Sequence, residues 1–163
     1  MSIYKKFFNE TVDENGKLLD IEIHYPDNFN FGYDVIDAIA AEDPDKRALV
    51  WCNTEGEEHI FSFGDISRQS NRIANVLLAA GVKRGDRVML ALKRHYEYWF
   101  TVIALHKIGA VMVPVTHMLT PDDIVYRLEA ANIRTIICTT QNDVPAHVTE
   151  ATQRVGGEFK LWT

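Results

Sequence analysis

Three short apolar runs between Arg87 and Thr139 constrain the fold more than any other feature of the chain. They begin at a constant interval of 24 residues and read Arg87-Val-Met-Leu-Ala-Leu92, Val111-Met-Val-Pro-Val115 and Thr135-Ile-Ile-Cys-Thr139. Each run is too short for a helix and shows no polar alternation, which is typical of a strand buried on both faces. Helical patterns fill both gaps. The sequence therefore predicts an α/β fold with a β-α-β-α-β core at residues 87–139, whose parallel strands are joined by right-handed crossovers.

The segments beside these runs predict the flanking helices. From Tyr96 to Ile108 the chain is apolar nearly all round, which indicates a helix buried on most sides. Residues 120–123, Thr-Pro-Asp-Asp, start another helix, with an N-cap threonine, a proline at the first helical position and acids in the first turn. Pro114 cannot donate to a strand ladder, so the second strand should end there or be bulged. Residues 147–155 predict a further helix, and residues 159–162 the start of another strand.

The preceding part of the chain predicts a helix followed by a hairpin. Residues 33–42 carry apolar side chains on one helical face, and Asp43-Pro44 ends that helix because the residue before proline avoids the α region. Residues 47–53 and 59–63 have the pattern of two strands around a polar loop that contains glycine.

A second helix should follow the hairpin. Ser62 and Asp65 form a variant capping box, with aspartate in place of glutamate, and Gly81 falls where a left-handed cap is expected. Residues 1–32 predict an N-terminal extension before an α/β subdomain at 33–163. Two interpretations of the extension stay open: a segment held on the domain surface by its aromatic side chains, or a partly disordered terminus.

Length and charge exclude several classes of protein. With 163 residues the chain is long enough for one ordinary domain, and its net charge of −6 argues against a nucleic-acid partner. Its apolar stretches are far shorter than the ~20 residues of a membrane helix, and its first residues show no secretory signal. Cys52 and Cys138 both lie in predicted strands, so we expect reduced thiols and a cytoplasmic protein.

The histidines offer one candidate binding loop. None of the six, at positions 24, 59, 95, 106, 117 and 147, forms a pair with metal-ligand spacing, and we expect structural or surface roles for five of them. His117 is the exception, because it lies in the loop Thr116–Thr120 after the second strand. Ligands of open parallel sheets bind outside the carboxyl ends of the strands, although a simple strand-to-helix connection is the alternative.

Other binding signals are weak. The chain has neither a dinucleotide-binding glycine motif nor a P-loop. The helix start at Thr120 would supply about 0.3–1 kcal/mol per dipole or capping interaction, whereas micromolar binding needs about 8 kcal/mol. The chain alone should therefore not hold a nucleotide tightly. The aromatic residues Tyr96, Tyr98, Trp99 and Phe100 are expected in the core, with a hydrophobic pocket as the alternative.

Several short motifs follow one another along the chain: Phe61-Ser-Phe63, Ser70-Asn-Arg-Ile-Ala-Asn75, Gly85-Asp-Arg-Val88, Gly109-Ala110 with Pro114, and Leu119-Thr-Pro-Asp122 with Tyr126-Arg-Leu128. This ordered set resembles the opening third of the AMP-forming acyl-CoA synthetases, which belong to the adenylating superfamily. The resemblance covers about residues 31–139, and residues 31–51 are more similar to the acetyl- and medium-chain branch than to luciferases.

The resemblance implies a parent enzyme of fatty acid metabolism that joins a carboxylic acid to ATP with Mg²⁺ and transfers the acyl group to coenzyme A. The family's phosphate loop, substrate pockets and catalytic lysine lie farther along the chain, so no catalytic residue or metal ligand is expected here. We expect an inactive N-terminal portion, truncated at its C-terminal end, whose partner is the rest of the enzyme. The loop at Thr116, His117 and Met118 corresponds to one near the coenzyme A entry side.

Three further expectations follow. A truncated sheet would expose an apolar patch or an unpaired edge, which invites self-association. The main alternative function is a stand-alone interaction or regulatory module on the same scaffold. The second alternative function is a small flavodoxin-like binder of a free cofactor.

Overall fold

The structure, a computed structural model, describes residues 3–163. The chain divides into two compact units, Met1–Ser67 and Arg68–Thr163. In chain order, after a 3₁₀ turn at Ile3–Lys6, the elements are β1 (Phe8–Val12), β2 (Leu18–Ile23), a π-helical segment (Phe31–Asp37), α1 (Ala38–Glu42), β3 (Arg47–Cys52), β4 (Glu58–Ser62), α2 (Phe63–Ala79), β5 (Arg87–Ala91), α3 (Glu97–Ile108), β6 (Val111–Pro114), α4 (Pro121–Ala130), β7 (Thr135–Cys138), α5 (Val144–Val155) and β8 (Lys160–Trp162).

The second unit is built on the predicted parallel sheet. Its strand order is β6-β5-β7-β8, and Val88 of β5 pairs in parallel with Met112 on one side and Thr135 on the other. β8 adds a fourth parallel strand beside β7. From β5 the chain steps to one side, to β6, and then returns across β5 to β7 and β8. Right-handed crossovers therefore place α3 on one face of the sheet and α4 and α5 on the other.

Successive side chains of β5 lie on opposite faces of the sheet and so contribute to both halves of the core. Met89 and Ala91 pack with α4 and α5 in one buried cluster, whereas Val88 and Leu90 pack with α2 and α3 in another. All four residues are at most 3% exposed. Full burial of a side chain the size of Val88, Met89 or Leu90 contributes about 1.5–3 kcal/mol, so this strand is central to the stability of the unit.

The element ends follow local chemistry. β6, an edge strand, ends at Pro114, as one of the two predicted outcomes. The amides of Val111 and Val115 donate to carbonyls on the β5 side at 2.8 Å and 2.9 Å, so the donor that Pro114 lacks lies on the unpaired side of the edge strand. Gly109 caps α3 with a φ of 70°, a left-handed conformation that favours glycine. Helix α5 begins at Val144, three residues before the predicted start. Pro145 lies in its first turn, where its missing N–H has no intrahelical partner to lose.

The first unit contains two antiparallel hairpins. β3 and β4 pair as predicted, with Trp51 opposite His59. β1 and β2 pair with Phe8 opposite Ile23, a hairpin within residues 1–32 that the sequence analysis did not predict. The ring of Phe29 lies 5.0 Å from that of Phe7, so aromatic contacts join the hairpin to the segment after it.

The first helical segment starts earlier than predicted. It begins at Phe31 rather than Tyr33, with a π-helical stretch that continues into α1. Asn30 is its N-cap: the side-chain oxygen accepts from the amide of Gly32 at 2.9 Å and from the amide of Tyr33 at 3.4 Å. These bonds satisfy two amide groups that a helix start otherwise leaves without partners, which favours the earlier beginning.

Candidate functional site

The carboxyl edge of the parallel sheet is where the candidate site lies. β5, β6 and β7 end at the same edge because they run in the same direction, and the loops 92–96, 115–120 and 139–143 follow them. The neighbours β5 and β7 connect to helices on opposite faces of the sheet. Ligands of open α/β sheets bind outside the carboxyl ends of strands at such a point of reversal.

A hydrogen bond joins the loops at this reversal. The Nε2 atom of His95 lies 2.9 Å from the Oγ1 atom of Thr139. The Thr139 hydroxyl also accepts from the amide of Gln141 at 3.2 Å, and the Thr139 amide donates to the carbonyl of Ala91 at 3.2 Å. From the sequence, His95 was expected to have only a structural or surface role. Its position directly after a predicted strand, the criterion that singled out His117, was the signal that could have drawn attention to it.

The loop between β6 and α4 carries the three residues predicted from the sequence. Thr116 is exposed, His117 is half-buried and Met118 is 75% exposed, and all three lie together at the carboxyl edge. The amide of Met118 donates to the Oγ1 atom of Thr116 at 3.3 Å, a turn within the loop. The next residue, Leu119, is buried in the core cluster on the α4–α5 face.

His147 of α5 holds the far end of this loop. Its Nδ1 atom lies 2.9 Å from the carbonyl oxygen of Leu119. This contact was not predicted, because the two residues are 28 positions apart and nothing in that spacing marks them as neighbours.

The start of α4 is already satisfied by its own residues. The Thr120 hydroxyl donates to the Oδ2 atom of Asp123 at 2.8 Å, and the amide of Asp123 donates to the Thr120 hydroxyl oxygen at 3.3 Å. The amide of Thr120 donates to Asp123 as well. These hydrogen bonds hold the pKa of Asp123 below its usual value. Because Asp122 adds a second carboxylate in the same turn, this helix start does not fit an ATP phosphate.

The residues that the structure describes gather no cluster of metal-ligand side chains for the Mg²⁺ that the resemblance implies for the parent enzyme. Among residues 3–163, no three His, Cys, Asp or Glu side chains form a group that could hold a metal ion.

Within the described residues, none of the helices is both long enough and apolar enough to cross a membrane.

A cleft of about 490 Å³ lies at the opposite, amino edge of the sheet. The cations Lys160 and Arg134 are partly committed to the protein: Lys160 Nζ donates to the carbonyl of Gly81 at 2.9 Å, and Arg134 lies 4.9 Å from the ring centre of Phe159. The other lining residues mix both signs of charge, so the cleft has no clear preference for an anion or a cation. The complete lining is Asp86, Arg87, Asn132, Arg134, Thr135, Glu158, Phe159 and Lys160.

The aromatic residues at the start of α3 divide between core and surface. Phe100 is buried and Trp99 is 51% exposed. Tyr96 lies 5.9 Å from Phe100, and Tyr98 lies edge-on to Trp99 at 5.4 Å between ring centres. The expected position in the core is therefore confirmed for Phe100 and wrong for Trp99, because α3 presents Trp99 to solvent.

Comparison with known proteins agrees with the resemblance seen in the sequence. Residues 36–159 match the family described as AMP-binding enzyme. The mitochondrial acyl-coenzyme A synthetase ACSM5 of Rattus norvegicus is 39% identical over 129 residues, which cover 76% of this chain and 22% of that protein. The mitochondrial acyl-coenzyme A synthetase ACSM3 of Homo sapiens is 38% identical over 138 residues, covering 81% of this chain and 23% of that protein.

A solved structure shows the same fold. The N-terminal subdomain of Klebsiella oxytoca NpsA, determined in complex with anthranilyl-AMSN, superimposes with a TM-score of 0.63 at 29% identity. The match covers 80% of this chain and 30% of that one. The chain thus spans less than a quarter of the length of the two synthetases and under a third of the NpsA subdomain.

Proposed function

We propose that this chain, which belongs to the family of AMP-binding enzymes, is the N-terminal portion of an AMP-forming acyl-CoA synthetase. In this proposal, residues 33–163 are the N-terminal α/β subdomain and residues 1–32 are an extension. The observation that carries the proposal is the family match over residues 36–159, supported by 39% identity to an acyl-coenzyme A synthetase.

The whole enzyme would activate a carboxylic acid in two steps. The carboxylate oxygen attacks the α-phosphate of ATP, which gives an acyl-adenylate and releases pyrophosphate. The thiol sulfur of coenzyme A then attacks the acyl carbon, and AMP leaves with the electron pair of the broken bond while the thiol proton goes to solvent or a base. ATP, Mg²⁺ and the carboxylic acid, of acetyl to medium chain length, would be bound by the rest of the enzyme chain, the partner of this portion.

Coenzyme A would approach the loop formed by Thr116, His117 and Met118. Two observations support this assignment. The loop lies at the carboxyl edge of the parallel sheet, where ligands of this architecture bind. It also presents an exposed thioether and hydroxyl beside a half-buried imidazole, whereas the neighbouring Leu119 is buried.

We expect the 163-residue chain to be inactive by itself. The described residues gather no cluster of three His, Cys, Asp or Glu side chains, and the amide and hydroxyl at the start of α4 are occupied by its own capping box. Exchange of labelled pyrophosphate into ATP, measured with acids from acetate to octanoate, should give no signal above background. Exchange that depends on the acid would show that the chain contains a working adenylation site. An active acyl-CoA synthetase assayed in parallel serves as the positive control.

The main alternative is a stand-alone interaction module on the same scaffold. The gene distinguishes the two functions: a reading frame that continues past Thr163 into a Ser/Thr/Gly-rich loop followed by lysine supports the synthetase. A stop codon directly after Thr163 would favour the module.

The second alternative is a flavodoxin-like binder of a free cofactor. Absorbance of the purified protein above 300 nm would support that function, and we expect no such absorbance.

Association and location are further parts of the proposal. The outer strands β6 and β8 carry Val111 and Leu161, which are 48% and 45% exposed, and these residues would support self-association of the isolated chain. Sedimentation over a range of concentrations tests this self-association.

A cytoplasmic location agrees with the free thiols of Cys52 and Cys138, whereas both named synthetase relatives are mitochondrial. Cell fractionation decides between the two compartments.

A further inference from the structure

The loop at Thr116–Met118 is held at both ends by hydrogen bonds to other elements. On the strand side, the amide of Val115 donates to the carbonyl of Leu90 in β5 at 2.9 Å. On the helix side, the carbonyl of Leu119 accepts from Nδ1 of His147 at 2.9 Å. Three consecutive residues therefore project from the carboxyl edge between two fixed points, one on the sheet and one on α5.

The second fixed point is chemically specific. A carbonyl oxygen only accepts hydrogen bonds, so Nδ1 of His147 must carry the hydrogen. An imidazole can donate from Nδ1 whether the ring is neutral or protonated. The contact therefore remains available in either charge state of the ring.

Helix α5 gives the imidazole a firm base. The backbone amide of His147 donates to the carbonyl of Asp143 at 2.9 Å in the first turn of the helix. The adjacent Val148 and the preceding Val144 are 2% and 4% exposed, in the same core cluster as Leu119. Because Leu119 is already buried by this cluster, the hydrogen bond adds direction to the loop rather than a new part of the core.

We propose that His147 is a positioning residue, which fixes the Leu119 carbonyl and thereby sets the direction in which Thr116, His117 and Met118 face coenzyme A. This inference rests on the proposed function, because it takes the loop as the coenzyme A side of the site. His147 itself is not placed in contact with the ligand.

Two substitutions separate the hydrogen bond from the shape of the ring. His147→Phe keeps a planar ring and removes the donor, whereas His147→Asn keeps an amide donor near the position of Nδ1. His24→Phe, at an exposed histidine of the first unit, is the matched control. Thermal unfolding followed by circular dichroism shows whether each variant is folded.

The first readout is amide hydrogen exchange by NMR. We expect His147→Phe to speed exchange at Met118 by about 2- to 10-fold, the range for one lost hydrogen bond, and to leave Val115 unchanged because its bond goes to the sheet. His147→Asn should return Met118 to within about twofold of the original rate. If a folded His147→Phe variant exchanges at Met118 like the original chain, the positioning role is wrong.

The second readout is titration with millimolar coenzyme A, followed by the amide shifts of residues 116–118. We expect shifts in the original chain, an affinity several-fold weaker in His147→Phe and recovery in His147→Asn. If His147→Phe speeds amide exchange at Met118 but does not weaken the affinity for coenzyme A, the positioning role is wrong. The proposal that coenzyme A approaches residues 116–118 would not be affected by that result. An original chain without shifts at residues 116–118 would refute that side of the proposed function, and the inference would fall with it.

Discussion

Apolar strand residues are buried in the parallel sheet of the second unit but exposed in the hairpins of the first. In β5, Val88, Met89 and Leu90 are 0% exposed, whereas in the hairpins Ile60 is 56% and Ile23 is 68% exposed. The strands have similar lengths, so length is not the cause. Helical crossovers cover both faces of a parallel sheet, while a two-stranded ribbon buries little by itself. Stability should therefore be concentrated in the second unit.

The two cysteines give the largest expected contrast. Cys52 ends β3 and is exposed, whereas Cys138 ends β7 and is 3% exposed. Burial raises the pKa of the Cys138 thiol, which reduces its reactive thiolate further. We expect iodoacetamide at pH 8 to label Cys138 at least about 1000-fold more slowly than Cys52, because labelling requires the core to open.

Mass spectrometry of proteolytic peptides measures both rates. Cys52→Ser allows the Cys138 rate to be followed alone, and urea should restore rapid labelling. Rates within tenfold of each other in native buffer would mean that the sheet opens as readily as the hairpin, and the contrast between the units would be lost.

Matched truncations give the next largest effect. Leu90→Ala removes a fully buried side chain from the core and should lower the free energy of unfolding by about 2–5 kcal/mol. Ile60→Ala, on the exposed hairpin strand β4, should lower it by less than about 0.5 kcal/mol. Urea unfolding followed by circular dichroism measures both values. Similar costs at the two sites would contradict the comparison.

The same contrast decides how much of the fold the sequence could predict. The central strands β5 and β7 were predicted to within one residue, because burial on both faces leaves unbroken apolar runs such as residues 88–91. β1 was missed because its residues, Phe-Asn-Glu-Thr-Val, are mostly polar and its pairing with β2 is irregular between Thr11 and Val12. An exposed ribbon with a bulged register leaves a weak pattern in the sequence.

The candidate site divides in a similar way. The place of Thr116, His117 and Met118 was predictable, because parallel strands bring their following loops to one edge. The partners of His95 and His147 were not, since they lie 44 and 28 residues away along the chain. Hydrogen bonds between loops and helices depend on the finished packing, and no local spacing encodes them.

The smallest effects test a feature that both units share. Ser62 and Asp65 cap α2 with the same bonds by which Thr120 and Asp123 cap α4, including a hydroxyl contact to the carboxylate of 3.0 Å in one and 2.8 Å in the other. Capping is local, so Ser62→Ala and Thr120→Ala should each lower the free energy of unfolding by about 0.5–2 kcal/mol. Urea unfolding at neutral pH checks this. A cost confined to Thr120→Ala would mean that even local interactions follow the division between the units.

Acid should reduce the effect of Thr120→Ala on the free energy of unfolding. The Thr120 hydrogen bonds hold the pKa of Asp123 below its ordinary 3.8 in the folded chain. Their contribution is therefore fully present above pH 3.8 and is lost as the pH falls through the lowered folded value. We expect the difference in unfolding free energy between the original chain and Thr120→Ala to be constant from pH 7 to 5 and to shrink towards pH 2.5. A difference that stays constant to pH 2.5 would show that the cap acts through the hydroxyl–amide bond alone, without the carboxylate.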